Sequence, residues 1–280
     1  MPKIKVITDS SVQLSPEEIE KYDITVVPLS ITIDDKTYVD GEDITRKDFI
    51  QKMDSAKELP KTSQPAIGRF VDEFKKLAAD GSQVLGIFMA KCLSGTVDAA
   101  RQASELVDFD VTIFDSGYTD RAMGFEVLEA AKMAQADKGL DEIIARLKQM
   151  QEQMHLEMMV PDLTNIIKGG RLGALAGRVA TLLNIRLFLE MTTNVLNIKA
   201  KGRGKKFTKK FNQDLIELVK NTPNVKHLGI SYVDTPDDME ELANELKEIN
   251  PDMDILIQET SPIIITHAGH GAYAVMFYSE

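Results

Sequence analysis

Val84-Leu85-Gly86-Ile87-Phe88-Met89-Ala90-Lys91-Cys92-Leu93-Ser94-Gly95-Thr96 decides the fold. Its first half is almost continuously apolar, as expected of a parallel strand covered on both faces. Its second half turns small and polar, after which Val97, Ala100, Ala103, Leu106 and Val107 recur at helical spacing. Upstream, Ile67, Phe70, Val71, Phe74 and Leu77 keep the same spacing, and downstream Val111 to Phe114 reads as another covered strand. Ile4 to Thr8 reads as the first strand. Ser15-Pro16-Glu17-Glu18 then opens a helix with a serine N-cap, a proline at the first position and a glutamate that completes a capping box. Strands and helices in alternation predict a parallel βαβ sheet.

The second half has another texture. Ile143, Ile144, Leu147, Met150 and Met154 mark a helix, and Pro161 marks a boundary. Leu187 to Met191 and Val195 to Lys199 flank the hairpin turn Thr192-Thr193-Asn194. The runs Leu228 to Val233, Ile255 to Gln258, Ile263 to Thr266 and Ala274 to Tyr278 read as further strands. Two helices cover them, through Phe207, Phe211, Leu215 and Leu218 and through Met239, Leu242, Leu246 and Ile249. The expected fold class is α/β in two domains. Residues 1–160 form a three-layer α/β domain with a mainly parallel sheet, carrying the hydroxyl-rich loops. Residues 161–280 form an α+β domain with a mainly antiparallel sheet, carrying a Gly-Gly-Arg turn, a basic segment and the His267 loop.

Composition narrows the class of partner. A net charge of −11 and a pI near 5.0 argue against nucleic acid, which needs a broad basic face. No apolar run reaches the length of a transmembrane segment, which leaves transient contact with a membrane surface open. Met1-Pro2-Lys3-Ile4-Lys5-Val6 enters a strand at once and does not read as a signal peptide, so a cytoplasmic setting is expected. Cys92 is the only cysteine, and the four histidines, at 155, 227, 267 and 270, show no established metal-ligand signature; neither metal nor cofactor is expected, with zinc at the closely spaced His267 and His270 as a remote alternative. At the end of a strand, Cys92 reads as a buried, inert hydrophobe.

The chemistry sits in polar loops. Lys61-Thr62-Ser63-Gln64-Pro65 and Leu93-Ser94-Gly95-Thr96 each precede a helix, and Thr266-His267-Ala268-Gly269-His270-Gly271 follows an apolar run. Thr8-Asp9-Ser10-Ser11 and Asp115-Ser116 lie beyond strand ends, where open parallel sheets bind ligands. Helix N-termini favour anions, and Thr62, Ser63, Ser94, Thr96 and His267 can each donate to a carboxylate. The ordinary alternative is that these hydroxyls only cap helices. Lys199, Lys201, Arg203, Lys205, Lys206, Lys209 and Lys210 form a basic island on an acidic chain, and the glycines of Gly169-Gly170-Arg171-Leu172-Gly173 would present Arg171 outward.

Several segments, in order and spacing, resemble the DegV family, bacterial fatty-acid-binding proteins that serve as the lipid subunit of fatty acid kinase. They are Thr8-Asp9-Ser10-Ser11, Tyr38-Val39-Asp40-Gly41, Thr62-Ser63-Gln64-Pro65, Leu93-Ser94-Gly95-Thr96, Lys168-Gly169-Gly170-Arg171 and His267 to Gly271. The resemblance implies two domains holding a long-chain fatty acid, with Thr62, Ser94 and His267 at its carboxylate. It also implies an ATP-dependent kinase subunit, similar to dihydroxyacetone kinases, that makes acyl phosphate, with Arg171 and Arg203 as candidate docking residues. On that view the chain presents substrate and catalyses nothing alone. Two positions depart from the family pattern: His270 stands where many relatives have proline, and Arg186-Leu187 follow Leu182-Leu183-Asn184-Ile185 where many have Lys-Pro.

Energetics allow such a ligand. About fourteen methylenes at roughly 0.8 kcal/mol each supply on the order of 11 kcal/mol before association costs. Hydrogen bonds to the head group, at about 1 kcal/mol net each, mainly orient it. Methionines such as Met89, Met123, Met158, Met159 and Met191 suit a tunnel for flexible chains, though ordinary gap-filling explains them too. The competing reading is a stand-alone serine hydrolase or acyltransferase, with Ser94 as nucleophile, His267 as base and Asp9 or Asp115 orienting the imidazole; it lacks a Gly-x-Ser-x-Gly elbow. A phosphate or nucleotide binder is weaker still, since no Gly-x-Gly-x-x-Gly or Walker pattern occurs.

Overall fold

The computed structural model describes residues 3–172 and 184–280, so Gly173 and Leu182-Leu183 of the motifs above lie outside the described residues. The first sheet is fully parallel, in the order β2 (Thr25–Val27), β1 (Ile4–Asp9), β6 (Gln83–Phe88), β7 (Val111–Asp115). On one face Phe70 and Phe74 of α3 (Ile67–Ala78) and Val97, Ala100 and Ala103 of α4 (Thr96–Ser104) pack with Ile7, Val84 and Phe88. α4 ends at Ser104 and leaves Leu106 exposed. The other face carries α1 (Pro16–Tyr22), α5 (Asp120–Gln135) and α6 (Leu140–Gln153). The capping box of α1 forms: the Ser15 hydroxyl accepts from Glu18 N–H, and the Glu18 carboxylate accepts from Ser15 N–H.

The second sheet has six strands in the order β10 (Val195–Gly202), β9 (Arg186–Thr192), β8 (Met154–Val160), β13 (Tyr273–Tyr278), β11 (His227–Tyr232), β12 (Asp254–Glu259). All pairs are antiparallel except β11 with β12. Helices α8 (Gly204–Asn221) and α9 (Pro236–Lys247) cover one face through Phe211, Leu215, Met239 and Leu246. We keep the two-domain division as a proposal with one adjustment. β8 hydrogen-bonds into the six-stranded sheet, so the division that fits the pairing falls before Met154 rather than after residue 160. A third sheet, in the order β4 (Lys36–Val39), β3 (Ser30–Ile33), β5 (Lys61–Ser63), is small and antiparallel; between β4 and β5 runs α2 (Arg46–Ser55).

One expected strand is a helix. Ile263 to Thr266 lies within α10 (Pro262–Ala268), whose Ser261 hydroxyl accepts from Ile264 N–H. The Ser-Pro start repeats the signal that opens α1. It overrides the strand preference of three consecutive isoleucines, two of which are buried.

Helix α5 joins the layers. Eleven of its residues are buried, because it packs on β1 and β6 on one side and on β8, β11 and β13 on the other. Asp120 opens it with a φ of 59°, accepts from the Ser231 hydroxyl at 2.5 Å and the Thr260 hydroxyl at 2.6 Å, and so ties the first unit to the second. Arg121 pairs with both oxygens of Glu18 at 2.7 Å. Its stem lies against Gly229, where any Cβ would come within 2.2 Å of it. Replacing Asp120 with alanine strands two buried hydroxyls and puts a side chain unsuited to positive φ at the helix start. We expect a loss of roughly 3 kcal/mol or more, largely recovered in Asp120→Asn, read as a fall in urea midpoint at unchanged slope. A midpoint unmoved in Asp120→Ala would contradict this account.

Candidate functional site

A cleft of about 740 Å³, its mouth included, lies between the two large sheets. Its apolar wall draws on both units: Leu29 and Met89 from the first, Leu156, Met158, Met191 and Leu196 from the second. Ile166 of α7 (Thr164–Lys168) and Ile263 and Ile264 of α10 complete it. Of the methionines singled out in the sequence, Met89, Met158 and Met191 line the cleft. Met123 and Met159 are fully buried in the core instead.

The polar lining is Thr62, Ser63, Gln64, Ser94, Thr119, Arg171 and His267. Two bonded pairs organise it. Thr62 Oγ1 lies 2.9 Å from His267 Nε2, and Ser94 Oγ lies 2.9 Å from Thr96 Oγ1. β5 delivers Thr62 through its pairing with Ile31 on β3. Because α10 is a helix, His267 falls one turn from Ile263 and Ile264, and all three face the cleft. A strand would have sent Ile263 and Ile264 to opposite faces. Thr96 is fully buried in the first turn of α4 and does not line the cleft; it steadies Ser94, whose Oγ accepts from Thr96 N–H at 3.4 Å.

Burial, with the Arg171 charge added, pulls the His267 pKa down to about 4, so the imidazole is neutral at ordinary pH. Its Nδ1 is buried without a partner, against Gly169, where a Cβ would sit 2.2 Å away. Arg171 corrects the sequence reading. Its side chain does not point outward: it is half-buried, with Nε donating to Leu93 O at 3.2 Å and Nη1 to Gly169 O at 2.7 Å. The polar lining of the cleft therefore includes a cation, which the hydroxyl-centred reading did not expect. Arg203, in contrast, is exposed at the N-cap of α8 and lines neither this cleft nor the cavity outside it.

The other polar loops are scaffolding. Asp9 is buried and accepts from Ser11 N–H, Ser11 Oγ and Met89 N–H, which pins the ends of β1 and β6 together. Asp115 accepts from Gly117 N–H and from the Asn194 amide of the β9–β10 hairpin turn. Neither carboxylate bonds to His267. Cys92, expected to be buried, is exposed; partial burial and Asp115 push its thiol pKa up, so it stays protonated. His270 lies between Asp54 of α2, at 2.6 Å, and Asp234, and bonds to both. Among the described residues no group of three or more His, Cys, Asp or Glu is placed to hold a metal ion, and no helix is long and apolar enough to cross a membrane.

A family model described as "Uncharacterised protein, DegV family" matches residues 3–280. The chain belongs to the DegV family. A DegV domain-containing protein of Streptococcus pneumoniae is 41% identical over 99% of this chain and 98% of its own length. One of Listeria monocytogenes is 40% identical over the full length of both. The crystal structure of DegV from Bacillus subtilis, described as a fatty acid binding protein, superposes with a TM-score of 0.92 at 27% identity, covering all of both chains. A fatty acid binding DegV family protein from Streptococcus agalactiae gives 0.90 at 29%, again over the whole of both.

The depressed His267 pKa has a definite sign. The unfolded chain takes up this proton near pH 6.5 and the folded one near 4, so the stability it contributes is full above 6.5 and drains away as pH falls toward 4. Imidazole NMR of the ligand-free protein should show His267 titrating near 4, well below His270, which its two carboxylate partners push up. The stability difference from His267→Asn should shrink across the same window. A midpoint at or above 6 would refute the assignment.

Proposed function

We propose that the protein binds a long-chain fatty acid in the cleft between its sheets and holds the carboxylate with Thr62, Ser63, Ser94 and His267, Thr96 fixing Ser94. One observation carries this: an apolar cavity walled from both units ends in two hydroxyl-centred pairs, with a neutral histidine and a half-buried arginine. The two superposing relatives described as fatty acid binding support the same ligand class. The protein is then a carrier that presents the carboxylate to an ATP-dependent kinase subunit resembling dihydroxyacetone kinases, which phosphorylates it to acyl phosphate. This second half draws on the family resemblance. A cytoplasmic setting, where ATP is at hand, fits it.

The serine-hydrolase alternative is less well supported. Ser94 bonds to Thr96 rather than to His267, His267 bonds to Thr62, and no carboxylate orients its Nδ1. Turnover of an activated ester by the purified protein, abolished in Ser94→Ala, would revive it.

Native mass spectrometry of the purified protein should find one long-chain acid per chain. Thr62→Ala and Ser94→Ala should each weaken its retention by about tenfold, the worth of one hydrogen bond to a charged group. Wild-type retention in both variants would count against these residues. For docking, Arg203→Ala should leave fatty acid affinity unchanged while lowering kinase-coupled turnover. Arg171→Ala should lower both, since that side chain reaches the cleft. Equal turnover in Arg203→Ala and wild type would remove Arg203 from the docking surface.

A further inference from the structure

Outside the mouth of the cleft lies a second cavity, lined by residues 57–62 together with Lys168, Gly169, Arg171 and His267. Thr62, Arg171 and His267 belong to both cavities, so the two chambers meet at the head-group residues. The outer lining holds four cations, Lys57, Lys61, Lys168 and Arg171, against one acid, Glu58, a local balance of +3 on a chain of net charge −11. Among the described residues none of these four cations forms an ion pair, although lysines elsewhere on the surface find partners, such as Lys76 with Glu73 and Lys210 with Asp214. Arg171 spends its two hydrogen bonds on backbone carbonyls. Three of its five N–H donors and its whole charge remain for a ligand.

We propose that this outer chamber is a subsite for a phosphoryl group, the one joined to the fatty acid carboxylate in an acyl phosphate. The inference rests on the fatty acid reading above. With the tail in the inner cleft and the carboxyl oxygens at Thr62 and His267, a phosphoryl group bonded to one of those oxygens must project into the chamber the same residues border. There it meets Lys57, Lys61 and Lys168, which border only the outer chamber and which a carboxylate at Thr62 and His267 does not engage. The lysines therefore discriminate between the acid and its phosphorylated form, favouring retention of the more highly charged molecule.

The test uses the full-length protein stripped of lipid and a β-ketophosphonate analogue of a long-chain acyl phosphate, with CH₂ in place of the bridging oxygen. Its affinity is compared with that of the parent fatty acid in wild type and in the triple variant Lys57→Ala/Lys61→Ala/Lys168→Ala. These side chains are exposed, so the substitutions leave the core intact. The phosphonate should bind the triple variant roughly tenfold more weakly, as three screened surface charges would give, and its wild-type affinity should fall with added salt. Fatty acid affinity should stay within about twofold. Unchanged phosphonate affinity alongside normal fatty acid binding would overturn the subsite and leave the carrier function standing. Failure of wild type to bind either compound would overturn both. Inorganic phosphate that binds the lipid-free protein and displaces the phosphonate while the acid stays bound would mark the chamber as a free-phosphate site and overturn the assignment to an acyl phosphate.

Discussion

Everything in this structure depends on the burial of α5. A helix with eleven buried residues can exist only where both sides are covered, and here one side is a parallel sheet and the other a mostly antiparallel one. The two sheets are thereby held as facing layers around a shared helix, and the cleft is the space between them beyond its N-terminal end. The polar residues of α5 make this placement specific. Asp120 accepts from two hydroxyls of the second unit, and Arg121 holds Glu18 while its stem crosses a glycine of β11. Apolar burial drives the layers together; these bonds set their register.

The polar end of the cleft offers hydrogen-bond donors without being strongly charged. A protonated His267 beside Arg171 would place two cations in a half-buried pocket, and burial together with that neighbour prevents it. Neutral imidazole leaves Thr62 adaptable. With the ring proton on Nε2 directed at Thr62, the hydroxyl proton of Thr62 is free to point at an incoming oxyanion. Arg171, anchored on the Leu93 and Gly169 carbonyls, lends field without closing a salt bridge. On the proposed reading, a carboxylate held in this way keeps enough freedom to react, whereas a bidentate arginine clamp would stabilise the ground state more deeply.

Local signals were the legible ones. Apolar runs marked β1, β6 and β7, the Ser15 capping box marked α1, and Thr192-Thr193-Asn194 marked the β9–β10 turn. The hydroxyls at 62, 63 and 94 were visible because their segments precede helices, and they line one cleft, although 62 and 63 lie in strand β5 and not in the loop the sequence suggested. What could not be read was set by tertiary contact. Three isoleucines imitate a strand, and only the Ser261-Pro262 start betrays the helix that aims His267. The inward turn of Arg171 depends on carbonyls at Leu93 and Gly169, the first of which is distant in sequence. Thr119 joined the lining unannounced, since nothing before folding distinguishes it from an ordinary helix-start threonine. Strands as short as β5, three residues long, fall below any periodicity that sequence can display.

The shared wall of the cleft has an evolutionary consequence. Met89 comes from one layer, and Met158 and Met191 from the other, so the bore is a joint property of two sheets that can change residue by residue on either side. On the proposed fatty acid reading, selectivity for tail length or for a bend at a double bond is free to drift through substitutions remote from each other in sequence. On the same reading, two chains that differ only along this wall take different tails from a mixed pool of lipids while presenting the same polar end.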